Sequence, residues 1–165
     1  MASELLAVFL SLAAIPSFAQ RSEPTSAAKS DVRSRTKAPT ISIVRNSKPP
    51  DDCGCFLQFP TDYRKHNDRY VFLSDLDGIA KLNTDGRNVE LTMLRDQEIK
   101  GDVRVGDRFF QTYGSGNLRV RIDYTVTRIC DPNDEGCERT WYSATITVTR
   151  SSSFRRAKVL GVCGC

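Results

Sequence analysis

The sequence Cys-Gly-Cys occurs twice, once at residues 53–55 and once at residues 163–165. In an extended strand alternate residues point to the same side, so both cysteines of each copy share one strand face. An antiparallel pairing in which partner numbers sum to 218 brings the two faces together. The duplication therefore predicts two disulfides that join the first and last strands of one domain. The predicted pairs are Cys53 with Cys165 and Cys55 with Cys163.

The two Cys-Gly-Cys copies also allow two other kinds of chemistry. Four thiolates could hold zinc or copper in a tetrahedral sulfur shell, although structural zinc sites favour Cys-x-x-Cys spacing. A disulfide within one copy would be strained and oxidising, as in redox proteins, but no βαβ pattern of the thioredoxin type surrounds either copy. A metal or redox role for Cys53, Cys55, Cys163 and Cys165 stays open as the alternative to the two crosswise disulfides.

The first residues predict export. Leu5 to Ile15 form a mostly apolar run, which Pro16 ends before the small residues Ser17 and Ala19. This is the layout of a signal peptide spanning 1–19, although its first residues lack Lys and Arg; a buried N-terminal helix is the alternative. The six cysteines are an even number and suit an oxidising compartment. We expect a secreted or periplasmic protein with no transmembrane segment after cleavage.

Residues 20–50 are predicted to be a basic, disordered linker. They contain seven Lys or Arg, two Asp or Glu and no aromatic residue, so they cannot bury enough apolar surface to fold alone. Only residues 40–44 resemble a strand that could be added to a sheet edge. The remaining body, 51–165, has 17 charges of each sign, which argues against nucleic acid as a partner. The tail's expected contacts are anionic lipid headgroups, cell-wall polymers or an acidic partner, with a solvated spacer as the alternative.

Residues 51–165 have the length of one domain and the periodicity of antiparallel strands. Apolar and polar residues alternate strictly from Leu118 to Val126 and again from Tyr142 to Val148. Short segments of this kind, separated by Asp-Gly and other glycine-containing turns, predict an all-β antiparallel sandwich or barrel of six or seven strands. The predicted disulfides would stabilise this small core.

Asp85-Gly86 predicts a tight hairpin turn, because both positions of a type I′ turn need positive φ. Pairing Thr84 with Arg87 places the apolar residues on one side of the hairpin. The same register places Lys81 opposite Glu90, which is a favourable cross-strand pair. Turn chemistry, alternation and charge therefore predict one register.

The segment 130–137, CDPNDEGC, predicts an acidic loop closed by a Cys130–Cys137 disulfide. Its first residues resemble the start of a calcium-binding loop, but Tyr142 occupies the twelfth position, where a bidentate Glu is needed. Direct opposition of the two cysteines would set the apolar faces of the flanking strands against each other. The disulfide must therefore lie in an irregular loop, or one strand must carry a bulge.

Few residues in the sequence suggest catalysis. His66 is the single histidine, and no nucleophile motif, phosphate-binding loop or dinucleotide fingerprint accompanies it. We expect no enzyme activity and no cofactor. Phe110, Tyr113 and Trp141 are candidates for a binding surface, since exposed aromatic residues anchor partners, with burial in the core as the alternative.

The sequence thus predicts an exported, non-catalytic β domain that serves as a binding or structural module of the cell envelope or extracellular space. Its expected partner is a protein or an envelope polymer. The alternative is a thiol-based metal-binding or redox protein. The layout, a signal peptide before a small disulfide-bearing β domain, resembles that of envelope lysozyme inhibitors in architecture alone, and the resemblance implies no site residue.

Overall fold

Eight antiparallel strands close into a barrel in a computed structural model of the chain. The structure describes residues 37–46, 48–49, 53–75, 77–97, 99, 101–131, 133–134 and 136–165, so the predicted signal peptide and most of the predicted linker lie outside the described residues. The strands are β1 (Gly54–Gln58), β2 (Tyr70–Asp75), β3 (Ile79–Thr84), β4 (Arg87–Asp96), β5 (Arg108–Ser115), β6 (Leu118–Ile129), β7 (Arg139–Arg150) and β8 (Ser153–Gly164), with one short helix, α1 (Pro60–Arg64), between β1 and β2.

Each strand pairs with its neighbours in the chain, and β1 pairs with β8 to close the barrel. The β1–β8 register is the one predicted from the duplicated motif: Gly54 lies opposite Gly164 and Cys55 opposite Cys163. Two disulfides join the same strands, with Cα–Cα distances of 4.1 Å for Cys53–Cys165 and 4.0 Å for Cys55–Cys163. Disulfides therefore cross-link the chain at the seam, the strand pair that closes the barrel.

The glycines of this seam are required by neighbouring backbone. A Cβ on Gly54 would collide with the carbonyl oxygen of Ser74 on β2. A Cβ on Gly161 would collide with the carbonyl oxygen of Phe56 on β1. Because these positions lack a side chain, β1 can approach β2 closely at Gly54 and β8 closely at Gly161.

The predicted all-β antiparallel class is confirmed, but the strand number is eight and not six or seven. The strand that the sequence did not reveal is β5. Aromatic residues occupy both of its faces: Phe109 pairs with the inward Tyr124, whereas Phe110 pairs with the outward Asp123. This arrangement removes the apolar–polar alternation on which the prediction of strands depends.

Two local predictions hold in the structure. The β3–β4 hairpin has Thr84 opposite Arg87 and Lys81 opposite Glu90, with positive φ at Asp85 and Gly86. The β6–β7 pairing contains an irregularity between Val126 and Arg128, which keeps the inward faces of both strands aligned. Beyond this irregularity the Cys130–Cys137 disulfide lies in the connection between the strands.

The interior of the barrel is filled by side chains that alternate inward along every strand. Phe72 contacts Tyr113 edge to face, with ring centroids 5.2 Å apart, near the middle of the core. The buried residues that form one cluster are Leu57, Val71, Phe72, Ala80, Leu82, Leu91, Tyr113, Leu118, Val120, Ile122, Tyr124, Val126, Tyr142, Ala144, Ile146, Val148 and Val159.

Part of the predicted linker packs on the barrel. Ser42 donates its backbone N–H to the carbonyl of Asn83 on β3 (3.0 Å), and Val44 donates to the carbonyl of Tyr70 on β2 (2.8 Å). Residues 40–44 thus supply hydrogen bonds at the ends of both strands, and Val44 is buried. The strand-like segment seen in the sequence is added to the sheet as a single bridge.

Asp85, at the tip of the β3–β4 hairpin, fastens this segment. Its carboxylate accepts a hydrogen bond from the backbone N–H of Thr40 (3.0 Å) and forms an ion pair with Arg150 of β7. The Thr40 N–H is the main cause of a lowered pKa at Asp85, and Arg150 lowers this pKa further. One carboxylate therefore connects the N-terminal segment, a hairpin tip and the far side of the barrel.

We predict that removing both disulfides of the seam lowers the free energy of unfolding far more than removing either one. Replacing Cys53 and Cys165 by Ser, or Cys55 and Cys163 by Ser, leaves the long loop closed by the other bond. Removing the second pair in the background of the first should cost on the order of 4–5 kcal/mol, because the loop is then open. Urea unfolding of the four proteins measures this difference; equal costs for the first and second removal would contradict it.

Replacing Asp85 by Asn should change how the free energy of unfolding falls as the pH is lowered. Asn-Gly also favours a type I′ turn, so the substitution removes the charge and keeps the hairpin. Because the pKa of Asp85 is lowered on folding, its charge stabilises the folded state above the unfolded pKa of about 4, and this contribution is lost as the pH falls through the folded value.

The measurement is urea unfolding of both proteins between pH 7 and pH 2. We expect wild type to be the more stable at pH 7 and the two curves to converge in acid. An Asp77→Asn variant, at an exposed turn position, is the matched control. A difference between wild type and Asp85→Asn that stays constant down to pH 2 would contradict the role of the carboxylate.

Candidate functional site: a basic groove on the outer face

Residues 51–165 have no net charge, but their basic and acidic residues are unevenly distributed among the strands. β1 to β4 contain three basic and three acidic residues, whereas β5 to β8 contain nine basic residues and one acidic residue, Asp123. The acidic residues of the body lie mostly in loops. The zero net charge of residues 51–165 is correct as a sum, but the strands separate the two signs in space. The nine basic residues are Arg108, Arg119, Arg121, Arg128, Arg139, Arg150, Arg155, Arg156 and Lys158.

A groove of about 760 Å³ crosses the outer face of these strands. Three cationic side chains line it, Arg108 of β5, Arg121 of β6 and Lys158 of β8, and all three are exposed. The carboxylate of Asp123 lies 2.7 Å from Arg121 and offsets part of its charge. The groove thus presents a net positive potential to solvent.

Phe110 organises the arginines at one side of the groove. The guanidinium of Arg121 lies 3.8 Å from the centre of its ring, and the guanidinium of Arg95 lies 5.3 Å from the same centre. A cation over an aromatic face is attracted by the ring quadrupole, and Arg121 also donates from its Nε to the Asp123 carboxylate (2.8 Å). Phe110 therefore holds two arginines on the outer surface with less loss of side-chain freedom on binding.

Small hydroxyl side chains line part of the groove, beside apolar residues such as Pro60 and Leu160. Ser143 and Thr145 of β7 point outward, since they alternate with the inward Ala144 and Ile146. Thr125 of β6 lies directly opposite Ser143. Hydroxyl groups both donate and accept hydrogen bonds, so this part of the groove suits a ligand that carries oxygen atoms.

The three aromatic residues singled out in the sequence do not form one surface. Tyr113 is fully buried in the core. Phe110 lines the basic groove, whereas Trp141 lines a separate cavity of about 400 Å³ together with Tyr63 and Tyr70. The guanidinium of Arg128 lies 3.4 Å from the centre of the Trp141 ring. A shared binding surface of the three is therefore excluded by the strand geometry.

The cysteines form disulfides, and residues of the acidic loop form hydrogen bonds with each other. All six cysteines form disulfides, so no Sγ atom is left to coordinate a metal in this oxidised chain. In the 130–137 loop Asp131 accepts hydrogen bonds from the backbone and side chain of Asn133, both 2.9 Å, while Glu135 lies outside the described residues. Within the described ranges no group of three or more His, Cys, Asp or Glu could hold a metal ion.

His66 lies in the turn after α1, with φ of 52°. It is exposed, and its backbone N–H donates to the carbonyl of Tyr63 (3.2 Å). Among the described residues no acidic side chain forms a salt bridge with it. Asp68 lines the same cavity as His66.

The chain matches no protein-family model, no curated protein and no solved structure. No helix in the described ranges has the length and apolar character needed to cross a membrane. The three disulfides are consistent with an oxidising, extracellular environment. Functional inference therefore depends on the geometry and charge of the outer face.

Proposed function

We propose that the protein is an exported, non-catalytic binding domain whose basic outer face holds an acidic polysaccharide of the cell envelope or extracellular space. The single observation that carries the proposal is the nine-to-one excess of basic residues on β5 to β8, seven of them facing outward, around a groove that is lined in part by hydroxyl groups. Arginine side chains bind carboxylates and sulfates through paired hydrogen bonds. Hydroxyl side chains can bind the sugar oxygens between them.

The extent of the charged face favours a polymer over a small anion. β6, β7 and β8 each have 12 residues. Such a strand is about 36 Å long at roughly 3.3 Å per residue, which is the length of several sugar units. Basic residues occur along this whole length, from Arg119 near one end of β6 to Arg128 near the other. A repeating anion can contact several of them at once, so the individual weak contacts add through multivalency.

A polysaccharide is favoured over nucleic acid by compartment and by surface chemistry. The disulfides suit an oxidising, extracellular setting, where acidic polysaccharides are abundant and long nucleic acids are not. Single-stranded nucleic acids also need aromatic platforms on which bases stack. Phe110, the outward-facing one of the three aromatic residues that line the groove, is instead covered by guanidinium groups. The predicted basic tail adds positive charge that a polyanion can also reach.

The test measures binding of the full disulfide-bonded chain to polygalacturonate by calorimetry at several salt concentrations. Replacing Arg108, Arg121 and Lys158 together by Gln should weaken binding about tenfold or more, because three charge-assisted contacts are lost. The affinity of the wild-type chain should fall with salt, since exposed charges are screened.

A matched control removes three exposed charges from another side of the barrel. The variant with Lys65, Lys81 and Arg87 replaced by Gln has the same net charge as the groove variant. We expect its affinity to stay within about twofold of wild type, whereas equal losses in both variants would mean non-specific attraction. Binding of neutral dextran, or tighter binding of an oligonucleotide of equal charge, would overturn the choice of ligand.

The thiol-based alternative makes a different prediction. If the cysteines serve structure, protein isolated without reductant should contain no free thiol and no bound metal by mass spectrometry. Non-reducing peptide mapping should recover one linked product that contains residues 53–55 and 163–165. Free thiols or stoichiometric zinc or copper in the isolated protein would favour the metal or redox reading instead.

A further inference from the structure

A second cavity, of opposite chemical character, opens where β4 continues into β5. Its volume is about 300 Å³, and its lining consists of Asp96, Ile99, Val103, Phe109 and Tyr142. Phe109 and Tyr142 point into the barrel, while Ile99 and Val103 belong to the β4–β5 connection. Barrels of eight strands commonly hold one small ligand at such a mouth. We call this cavity the barrel mouth.

Aromatic rings form the inner wall of the barrel mouth. The rings of Phe109 and Tyr142 meet edge to face, with centroids 5.5 Å apart. Phe109 also stacks on Tyr124, with centroids 4.6 Å apart and an interplanar angle of 6°. These contacts fix the ring of Phe109 from two sides. The wall is therefore rigid before any ligand enters.

A carboxylate lies at the rim. Asp96 pairs with Gln111, whose side chain reaches the hydroxyl of the buried Tyr113 (3.0 Å). Asp96 is therefore on the inward side of β4, and the Gln111 amide approaches its carboxylate at 3.5 Å. Among the described residues no Lys or Arg forms a salt bridge with Asp96. An acidic group thus lies beside aromatic faces without a cationic partner in the described part of the chain.

A second polar group near this cavity, the buried hydroxyl of Tyr124, lacks a hydrogen-bond partner among the described residues. Burial is the main cause that raises the pKa of Tyr124, and the charges of Tyr113, Tyr142 and Asp96 raise it further. Two of these three residues line the barrel mouth. The hydroxyl therefore lies in the electrostatic environment of the cavity and keeps its proton.

We propose that the barrel mouth binds a small organic cation, an ammonium group on an apolar body, with Asp96 as its counter-ion and Phe109 and Tyr142 as its aromatic wall. A carboxylate gives the ammonium group a charge-assisted hydrogen bond, and the ring faces attract the cation. Ile99 and Val103 cover the apolar body, and Val103 is 36% exposed in the free chain. Phe109 also lines the basic groove, but the cationic residues Arg108, Arg121 and Lys158 are not part of the lining of the barrel mouth.

The probe is 2-phenylethylamine, compared by calorimetry with its neutral counterpart 2-phenylethanol, both added to the full disulfide-bonded chain. We expect the amine to bind about tenfold or more tightly than the alcohol. Replacing Asp96 by Asn should reduce the affinity for the amine by about tenfold and leave that for the alcohol unchanged. Replacing Asp102 by Asn makes the same charge change in the same connection, outside the lining, and should have little effect.

A second variant separates binding from folding. Val103→Trp should fill the entrance of the cavity and abolish amine binding without any change of charge; circular dichroism and thermal unfolding check that each variant is folded. The groove variant with three Gln substitutions should bind the amine as wild type does. Equal affinity for amine and alcohol, unchanged binding by Asp96→Asn, or no amine binding at millimolar concentrations would each overturn the proposal.

Discussion

The pairing of β1 with β8 is the constraint on which the rest of the structure depends. A meander of eight strands leaves two open edges unless its first and last strands meet, and open edges are sites of aggregation. Here β1 has only five residues, so few hydrogen bonds are available to hold the seam. Two disulfides compensate for the shortness of the strand: Cys55–Cys163 joins β1 to β8, and Cys53–Cys165 joins the residues next to them, with Cα–Cα distances of 4.0 and 4.1 Å.

Closure of the seam also determines where charge can lie. In a filled barrel every strand has one face in the core, so charged residues are confined to the other face and to the ends. β5 to β8 follow one another in the sheet, and their outward residues consequently form one continuous surface. Seven of the nine basic residues, all except Arg150 and Arg155, face outward and become neighbours only through the strand order. The same confinement leaves Asp96 and the aromatic rings together at an end of the barrel, where an inward-facing carboxylate can still reach solvent.

The sequence was informative where one local rule decides the structure. The duplicated Cys-Gly-Cys predicts the β1–β8 register because cysteine positions and strand alternation leave one antiparallel solution. Asp85-Gly86 predicts the β3–β4 register because turn type fixes pairing. The parity conflict at Cys130 predicts an irregularity, which lies between Val126 and Arg128. Each of these features depends on residues that are close in sequence or joined by a covalent bond.

Features that depend on the order of strands in the sheet could not be predicted from local sequence rules. β5 was missed because Phe109 and Phe110 give it two aromatic faces, one for the core and one for the guanidinium groups of Arg95 and Arg121. The basic groove was missed because a charge sum over residues 51–165 averages loops with strands. Tyr113 was considered for the surface, yet its place opposite Val120 puts it inside.

The N-terminal segment shows how a polar chain can become part of a small barrel. Residues 40–44 include three apolar side chains, but a segment of five residues is too short to fold alone. Asn83 and the first residue of β2 nevertheless present backbone carbonyls that the β2–β3 pairing does not use, since its ladder runs from Phe72–Leu82 to Ser74–Ala80. A buried carbonyl without a donor is costly. The segment binds because it donates to both carbonyls, and Asp85 adds a charged hydrogen bond at its beginning. Backbone carbonyls of β2 and β3 and the apolar side chains of Ile41, Ile43 and Val44 therefore together extend the folded domain into the predicted linker.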